Sequence, residues 1–307
     1  MTESSPENPK ARKAASWQLH SRSLELASRT LIMGIVNITA DSFSDGGRYL
    51  NPEAAIAYGL QLLEEGADIL DLGAESTRPG IRAGDPATAS VSTAQEQERL
   101  LPVIEGLLRA RPDAVLSVDT YKSQTARAAL QAGAAIINDV SGFAWDAHMA
   151  QVCEEARCGV VLMHTRGTPQ AWHEQSRQSG SELLSMVRSG LAASLRVAEA
   201  AGIAPERIVL DPGYGFGKRG EENYALLGRQ HELVALGRPL LAGLSRKSFL
   251  GKTASSRGVA ASQEMLKTAS AAAVAAAILQ GASIVRVHSV RHAVSAAAIA
   301  DAIIAAR

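Results

Sequence analysis

The chain has 307 residues, with 31 basic and 31 acidic side chains, and this length provides for one large domain or two ordinary ones. The zero net charge disfavours a protein that binds nucleic acid, because such proteins usually carry a basic bias. Its two cysteines, Cys153 and Cys158, are too few for a disulfide scaffold and predict a reduced, cytoplasmic protein.

The first residues of the chain differ in composition from the rest. Residues 1–15 are polar and charged and lack the apolar segment of a signal peptide, so we predict a disordered tail. A single domain is expected over residues 16–307. No run of about 18 apolar residues is free of charge, and no membrane partner is therefore expected.

Eight short apolar runs alternate with longer amphipathic segments along the predicted domain. The predicted strands are Leu31–Ile38, Asp68–Gly73, Val115–Asp119, Ala135–Val140, Gly159–His164, Ile208–Asp211, Leu240–Leu244 and Ile284–Val287. The predicted helices span 52–65, 93–110, 122–132, 146–157, 181–201, 222–236, 263–280 and 291–306. Eight strands that are each followed by a helix predict an α/β fold, the closed (β/α)₈ TIM barrel. An open doubly wound sheet is the alternative, since periodicity does not show closure.

Every predicted strand carries a polar or ionisable residue at its C-terminal end. A single such residue commonly caps the next helix. In a barrel, however, all eight ends open onto one mouth, which is where catalytic groups lie. The residues in question are Asn37, Asp71, Asp119, Asn138, His164, Asp211, Ser245 with Lys247, and Arg286 with His288.

The residue types at this mouth fall into two groups. Asp119, Asp211 and Asn138 suit a ligand rich in N–H donors, such as the amidine-like edge of a heterocycle. The second group suits a phosphate or another anion, and Mg²⁺ would accompany such phosphates because it typically takes only one or two protein oxygens. This second group consists of Asn37, Lys247, Arg286 and His288.

Eight segments of the sequence together carry a resemblance to a known family. They are MGIVNITADSFSDGG (33–47), DLGAESTRPG (71–80), SVDTYK (117–122), INDVSG (137–142), LMHTRGTP (162–169), LDPGYGFGK (210–218), GLSRKSFLG (243–251) and VRVH (285–288). From Leu31 to Val290 the chain resembles the dihydropteroate synthases of folate biosynthesis. The resemblance implies a TIM barrel, typically a homodimer. It further implies a Mg²⁺-dependent transferase that joins 6-hydroxymethyl-7,8-dihydropterin pyrophosphate to p-aminobenzoate and is a target of sulfonamides.

The resemblance also implies a role for each residue of the site. The pterin pocket would comprise Asp119, Asn138, Met163, Asp211, Phe216, Lys247 and Arg286, with the guanidinium of Arg286 stacked on the pterin. The pyrophosphate site would comprise Asn37 (also the Mg²⁺ ligand), Arg286 and His288. The p-aminobenzoate site would comprise Thr77, Arg78 and Ser245. The residues implied in catalysis are Asp119, Asp211, Lys247 and Arg286.

Four positions depart from the family pattern, and two other functions stay open. Ala40 replaces a usual proline, Arg219 a threonine, Glu222 a histidine and Ser289 an aspartate. The first alternative function is a pterin-binding methyltransferase, which uses a related barrel but does not bind p-aminobenzoate. The second is a non-catalytic homologue that keeps the pocket for binding only.

Overall fold

A closed barrel is the central feature of the fold. Eight parallel strands form it, and the last strand pairs with the first, so that Ile284 lies beside Leu31. The predicted (β/α)₈ barrel is therefore confirmed, and the open doubly wound alternative is wrong. The computed structural model describes residues 16–38, 51–75, 83–84, 89–256, 258 and 262–307. The predicted disordered tail, 1–15, lies outside the described residues.

All eight predicted strands are present, with ends that differ by at most two residues from the prediction. A hairpin of β1 (Ser16–Gln18) and β2 (Ser23–Glu25) precedes the barrel. The barrel strands are β3 (Leu31–Asn37), β4 (Ile69–Gly73), β5 (Leu116–Asp119), β6 (Ile136–Asp139), β7 (Gly159–Met163), β8 (Ile208–Asp211), β9 (Leu240–Ala242) and β10 (Ala282–Val287).

Helices surround the barrel and follow its strands in sequence. Two of them begin with a capping box, in which Ser92 or Ser179 accepts from the backbone three residues later. None of the helices in the described part of the chain is long and apolar enough to cross a bilayer. The helices are α1 (Pro52–Glu64), α2 (Thr93–Ala110), α3 (Ser123–Gln131), α4 (Met149–Glu155), α5 (Gly180–Ala200), α6 (Gly220–Gly228), α7 (Ser248–Ser256), α8 (Gln263–Leu279) and α9 (Val290–Ala305).

Two helix predictions were wrong in extent. In both cases a polar side chain accepts hydrogen bonds that do not belong to the predicted helix. The predicted helix 146–157 starts only at α4, since the carboxylate of Asp146 accepts from the backbone N–H groups of Ser123 and His148. The predicted helix 222–236 divides into α6 and a 3₁₀ helix. There the buried Gln230 accepts a hydrogen bond of 2.7 Å from the Tyr214 hydroxyl.

The sequence patterns did not predict the β1–β2 hairpin. The hairpin closes the barrel end at which the strands begin: Trp17 is fully buried, and its indole N–H donates to the Arg207 carbonyl at 2.8 Å. Trp17, Leu19 and Leu26 pack with an inner apolar layer drawn from or next to every barrel strand. Because this end is filled, the polar groups of the barrel interior are confined to the opposite mouth.

Candidate active site

The carboxyl ends of neighbouring strands bring the predicted site residues to one mouth. Asp119 on β5 lies in register with Gly73 on β4 and with Asn138 on β6. Two strands further round the barrel, Met163 on β7 is in register with Asp211 on β8. Since parallel strands end at the same edge, side chains that are distant in sequence become neighbours there.

Arg286, on β10, contacts acidic side chains of two other strands, β4 and β5. Its Nε lies 2.5 Å from Oδ2 of Asp71, and its Nη2 lies 2.7 Å from Oδ2 of Asp119. Burial acts to lower the pKa of the guanidinium, but the carboxylates of Asp71 and Asp119 outweigh burial and raise that pKa above its ordinary value. Arg286 is therefore a permanent cation held between two carboxylates.

Asp71 is a residue of the site for which the sequence predicted no ligand role. It is fully buried within β4, where it also accepts from Ser117 Oγ at 2.6 Å and from Asn138 Nδ2 at 3.1 Å. The available signal was an acid inside an apolar strand, ILDLG. Such an acid requires buried partners, but the sequence does not reveal which ones.

The carboxyl group of Asp119 has a raised pKa. Burial and the charge of Asp71 raise its pKa, Arg286 acts in the opposite direction, and the net pKa is about 7. Its side chain keeps 22% of its surface exposed, whereas Asp71 keeps none. Asp119 is thus the member of this group that a ligand in the mouth can reach.

Asp211 ends β8 and starts the glycine-rich loop 212–218. Its Oδ1 accepts from the backbone N–H of Gly213 at 2.7 Å, and burial raises the pKa of the carboxyl group. Gly213 has a φ of +69°, and a Cβ at that position would lie 2.0 Å from the His164 carbonyl oxygen. Only glycine fits this turn, and the turn fixes the direction of the Asp211 carboxylate.

The buried Lys218 holds the far end of the same loop. Its ammonium donates to the carbonyls of His164, Gly213 and Phe216 at 3.1, 2.8 and 3.3 Å. Burial lowers the pKa of Lys218 to about 7. The carbonyls that it binds belong to the loop after β7 and to the glycine-rich loop, so Lys218 joins the two.

Phe216 and Lys247, both predicted for the pterin pocket, are in direct contact. The Lys247 ammonium lies 4.0 Å from the centroid of the Phe216 ring, a cation–π geometry. Trp172 packs edge-on against the same ring, with 5.1 Å between centroids. Burial lowers the pKa of Lys247 to about 8. An aromatic face and a cation therefore stand beside Asp211.

Ser245 and His288, predicted for different substrates, also meet. The Ser245 hydroxyl accepts from the His288 backbone N–H at 3.2 Å and lies 3.1 Å from His288 Nδ1. Ser245 precedes the start of α7 by three residues, and Arg246, directly after Ser245, has a φ of +57°. The predicted p-aminobenzoate and pyrophosphate sites are thus adjacent at these residues.

Thr77, Arg78 and the departure at Ala40 lie outside the described residues. The other three departures have local partners. Glu222 accepts from the backbone N–H of Gln178 at 2.7 Å and pairs with Arg166 at 3.6 Å, and Ser289 Oγ lies 2.9 Å from His292 Nδ1. Arg219 donates to the carbonyl of His173. None of these contacts is to a residue with a predicted ligand role.

Lys122 binds both ends of the segment that contains Thr77 and Arg78. Its ammonium lies 2.7 Å from Glu75 Oε2, 2.8 Å from the Val91 carbonyl oxygen and 3.1 Å from Glu96 Oε2. The side chains of Lys122, Glu75 and Glu96 are all at most 4% exposed. This buried ion triad therefore fixes the two ends of the segment between β4 and α2.

We expect Lys122→Met to lower the free energy of unfolding by about 3–5 kcal/mol, because it leaves two buried carboxylates without their cation. Denaturant unfolding measures the change. The matched control is Lys267→Met, because the side chain of Lys267 is 35% exposed and its ammonium pairs with Glu264 at 3.5 Å. That exposed pair is expected to contribute less than about 1 kcal/mol. Equal losses in the two variants would contradict a special role for the buried triad.

A Mg²⁺ site was predicted at Asn37, which ends β3 at the mouth and is half-buried. In the described part of the chain, no three His, Cys, Asp or Glu side chains form a metal cluster. One amide oxygen fits a magnesium ion that takes most of its ligands from phosphate and water, as Mg²⁺ usually does. The donor set at the mouth therefore suits Mg²⁺ that arrives with a substrate phosphate.

Comparison with known proteins agrees with this geometry. The sequence profile of the family described as "Pterin binding enzyme" matches residues 33–288. The chain is 44% identical over 266 residues to dihydropteroate synthase from Mycobacterium leprae, which covers 86% of this chain and 90% of that one.

Two solved structures are similar over almost the whole chain. A Yersinia pestis dihydropteroate synthase in complex with a sulfonamide drug has a TM-score of 0.85 and 35% identity, covering 95% of this chain and 100% of that one. A Xanthomonas albilineans dihydropteroate synthase in complex with 7,8-dihydropteroate has a TM-score of 0.78 and 35% identity, covering 95% and 99% of the two chains.

Proposed function

The chain belongs to the family of pterin-binding enzymes, and from that premise we propose how its barrel mouth performs the dihydropteroate synthase reaction. The protein is a transferase that condenses 6-hydroxymethyl-7,8-dihydropterin pyrophosphate with p-aminobenzoate to give 7,8-dihydropteroate and pyrophosphate. The observation that carries this conclusion is the convergence of acceptors, cations and an aromatic ring at the mouth, contributed by Asp119, Asn138, Asp211, Lys247 and Phe216.

We propose that the pterin lies between Asp119 and Asp211. The two carboxylates and the Asn138 amide oxygen accept from the N–H groups of the pterin, which are arranged like an amidine. Met163 and Phe216 pack against the ring system, since both are in the apolar group at the mouth. Because both in-plane contacts of Arg286 are to carboxylates, its planar face is the part of the guanidinium that suits stacking on the pterin.

The pyrophosphate is proposed to lie on the side of Asn37, Arg286 and His288. Lys247 supports it, since its ammonium is near enough to Asp211 and Arg286 for both charges to shift its pKa. The Asn37 oxygen would hold Mg²⁺ together with the phosphate oxygens. When bound there, Mg²⁺ supplies positive charge that stabilises the leaving pyrophosphate.

We propose substitution at the pterin methylene with early departure of pyrophosphate. Positive charge then develops on the dihydropterin ring, and the Asp119 and Asp211 carboxylates stabilise it electrostatically. Arg286, His288 and Lys247 stabilise the leaving anion, and the arylamine attacks the methylene and gives up one N–H proton to the released pyrophosphate or to solvent. No protein nucleophile takes part, so trapping of a covalent pterin–protein adduct would overturn this mechanism.

The p-aminobenzoate carboxylate is proposed to bind at Ser245, with Thr77 and Arg78. Sulfonamides are proposed to compete there, because the similar Yersinia pestis enzyme was solved in complex with such a drug. The adjacency of Ser245 to His288 supports this placement, since the arylamine must stand next to the departing pyrophosphate.

Ser245→Ala is expected to raise the KM for p-aminobenzoate by roughly 10-fold, because one hydrogen bond to a charged group is lost. Pterin affinity is expected to stay within about twofold of the wild type, since Ser245 lies on the other substrate's side. Steady-state kinetics with each substrate varied in turn measures the split. A loss of pterin binding alone would contradict the assignment of Ser245.

The overall proposal is tested by incubating purified protein with the pterin pyrophosphate, p-aminobenzoate and Mg²⁺. We expect dihydropteroate and pyrophosphate in equal amounts. A folded protein that binds the pterin but forms no product would favour a binding module. Release of pyrophosphate that does not depend on p-aminobenzoate would contradict a synthase.

We also propose a homodimer that forms through the outer face of α9. Ile299 and Ile303 are four residues apart on this helix and are 65% and 43% exposed, which is unusual for large apolar side chains. The double variant Ile299→Asp, Ile303→Asp is expected to be monomeric by light scattering. Val197→Asp on α5, at a position with 45% exposure, is the matched control and is expected to stay dimeric. A dimeric double variant would exclude this face.

A cytoplasmic location and a single domain over 16–307 complete the proposal. Cys153 and Cys158 are both buried and free of a disulfide bond, which supports a reducing compartment. The packing of Trp17 and Leu19 against the inner barrel layer supports inclusion of the hairpin in the same domain.

A further inference from the structure

We infer that Asp71 is a positioning residue of the pterin site, which orients Asn138 and Arg286 through buried hydrogen bonds without touching the substrate. This inference deepens the proposed function and rests on it. It is drawn from a buried hydrogen-bond network that links four barrel strands, β4, β5, β6 and β10.

The Asp71 carboxylate has a donor on each oxygen. Ser117 Oγ lies 2.6 Å from Oδ1, while Asn138 Nδ2 and Arg286 Nε lie 3.1 and 2.5 Å from Oδ2. The side chain has no exposed surface. A carboxylate with three donors and no access to solvent cannot serve as a ligand itself, but it restrains every group that donates to it.

The first restrained group is the amide of Asn138. Because its Nδ2 is committed to Asp71, the group that this amide can offer to a ligand is the oxygen, which accepts hydrogen bonds. Rotation by 180° would exchange the two and present a donor. Asp71 thereby fixes Asn138 as a third acceptor beside Asp119 and Asp211, and three acceptors match a pterin edge that presents N–H groups.

The second restrained group is the guanidinium of Arg286. Contacts at Nε to Asp71 and at Nη2 to Asp119 fix the plane of the group by two bonds that lie within it. Without Asp71, the contact to Asp119 would remain, and the guanidinium could turn about it. A turned guanidinium would cover the one carboxylate of this pair that the ligand can reach.

A purely structural role for Asp71 makes a different prediction. As a simple counter-ion it would affect stability and both substrates alike. As a positioning residue it affects the pterin, because Asn138 and Arg286 are on the pterin side. The split between the substrates therefore discriminates between the two roles.

The test uses Asp71→Asn in the full chain and 6-hydroxymethylpterin as a non-reacting probe. We expect the dissociation constant of the probe to rise by roughly 10-fold or more, the loss typical of a hydrogen bond to a charged group. The KM for p-aminobenzoate is expected to stay within about twofold. Unchanged pterin affinity in the folded variant overturns the inference, as do equal losses for the two substrates.

Two serines provide a matched pair that leaves all charges in place. Ser117→Ala removes the hydroxyl that donates to Asp71 at 2.6 Å, and Ser141→Ala removes one that donates to the buried Asp139 at 2.7 Å. We expect Ser117→Ala to weaken pterin binding by roughly three- to tenfold and Ser141→Ala to leave it unchanged. This pair decides the question if Asp71→Asn does not fold.

The outcomes separate this inference from the function on which it rests. A wild-type protein that does not bind 6-hydroxymethylpterin would overturn the proposed function and the inference together. If the wild type binds the probe, and Ser117→Ala and Ser141→Ala bind it equally well, the inference alone is overturned. Selective weakening in Ser117→Ala and Asp71→Asn supports it.

Discussion

Asp211→Asn is expected to lose pterin affinity by about 100-fold while the protein folds normally. The side chain is buried, and its carboxylate already accepts from the Gly213 N–H at 2.7 Å. An asparagine can keep that bond through its oxygen, but its NH₂ group would then face the N–H donors of the pterin. The loss combines a missing charge-assisted bond with a donor placed against a donor, and each costs about 1–3 kcal/mol.

Stability is expected to be unchanged or higher in Asp211→Asn. Burial raises the pKa of this carboxyl group, so its ionised form is held at a cost in the ligand-free protein. Titration calorimetry with an unphosphorylated pterin measures affinity, and thermal unfolding measures stability. Unchanged pterin affinity would mean that another group recognises the N–H edge.

Asp139→Asn is the matched control for this prediction. Asp139 is fully buried and lies at the end of β6, and its two oxygens accept from the backbone N–H groups of Ser141 and Phe143. These bonds hold the following loop and leave the carboxylate no role in the mouth. We therefore expect the opposite pattern, a lower melting temperature with pterin binding retained.

The barrel could be predicted because its signals are local. Each strand is a short run of buried apolar residues, and β8 was predicted with its observed bounds, Ile208–Asp211. The C-terminal ends then had to converge, because parallel strands in a barrel share one mouth. This is why Asp119, Asn138 and Asp211 could be grouped from the sequence although they are widely separated along the chain.

Contacts between distant side chains could not be predicted in the same way. The carboxylate of Asp71 was visible only as an acid in an apolar strand, while its partners lie 46, 67 and 215 residues further along the chain. The hairpin that contains Trp17 is equally silent, since three-residue strands show no periodicity. Both features depend on tertiary packing, which overrides local pattern.

The departures from the family pattern show the same limit. Glu222, where a histidine is usual, is a buried carboxylate that accepts from the backbone N–H groups of Gln178 and Arg219. It also pairs with Arg166, whose Nη1 donates to the Gly217 carbonyl at 3.2 Å. The substitution is thus supported by a cation 56 residues earlier in the chain. No reading of position 222 alone predicts this pair.

Arg286→Gln is expected to reduce kcat by roughly 1,000-fold, a loss of about 4 kcal/mol in transition-state stabilisation. The guanidinium contacts both Asp71 and Asp119, and it also stands on the proposed path of the leaving pyrophosphate. Its removal therefore affects the leaving anion and the carboxylates that stabilise the pterin cation. Glutamine is chosen because it retains a planar, hydrogen-bonding end group.

The pH dependence of Arg286→Gln distinguishes these two effects. With Arg286 present the pKa of Asp119 is already raised to about 7, chiefly by burial, and Arg286 is the main influence that holds it down. Without the cation that pKa rises, so at neutral pH more of Asp119 is protonated and cannot stabilise positive charge. Activity of the variant is thus expected to recover in part as the pH is raised from 7 to about 9, more than in the wild type. A pH profile of the variant that runs parallel to that of the wild type would assign the whole loss to the leaving group. It would also mean that Arg286 does not control the pKa of Asp119.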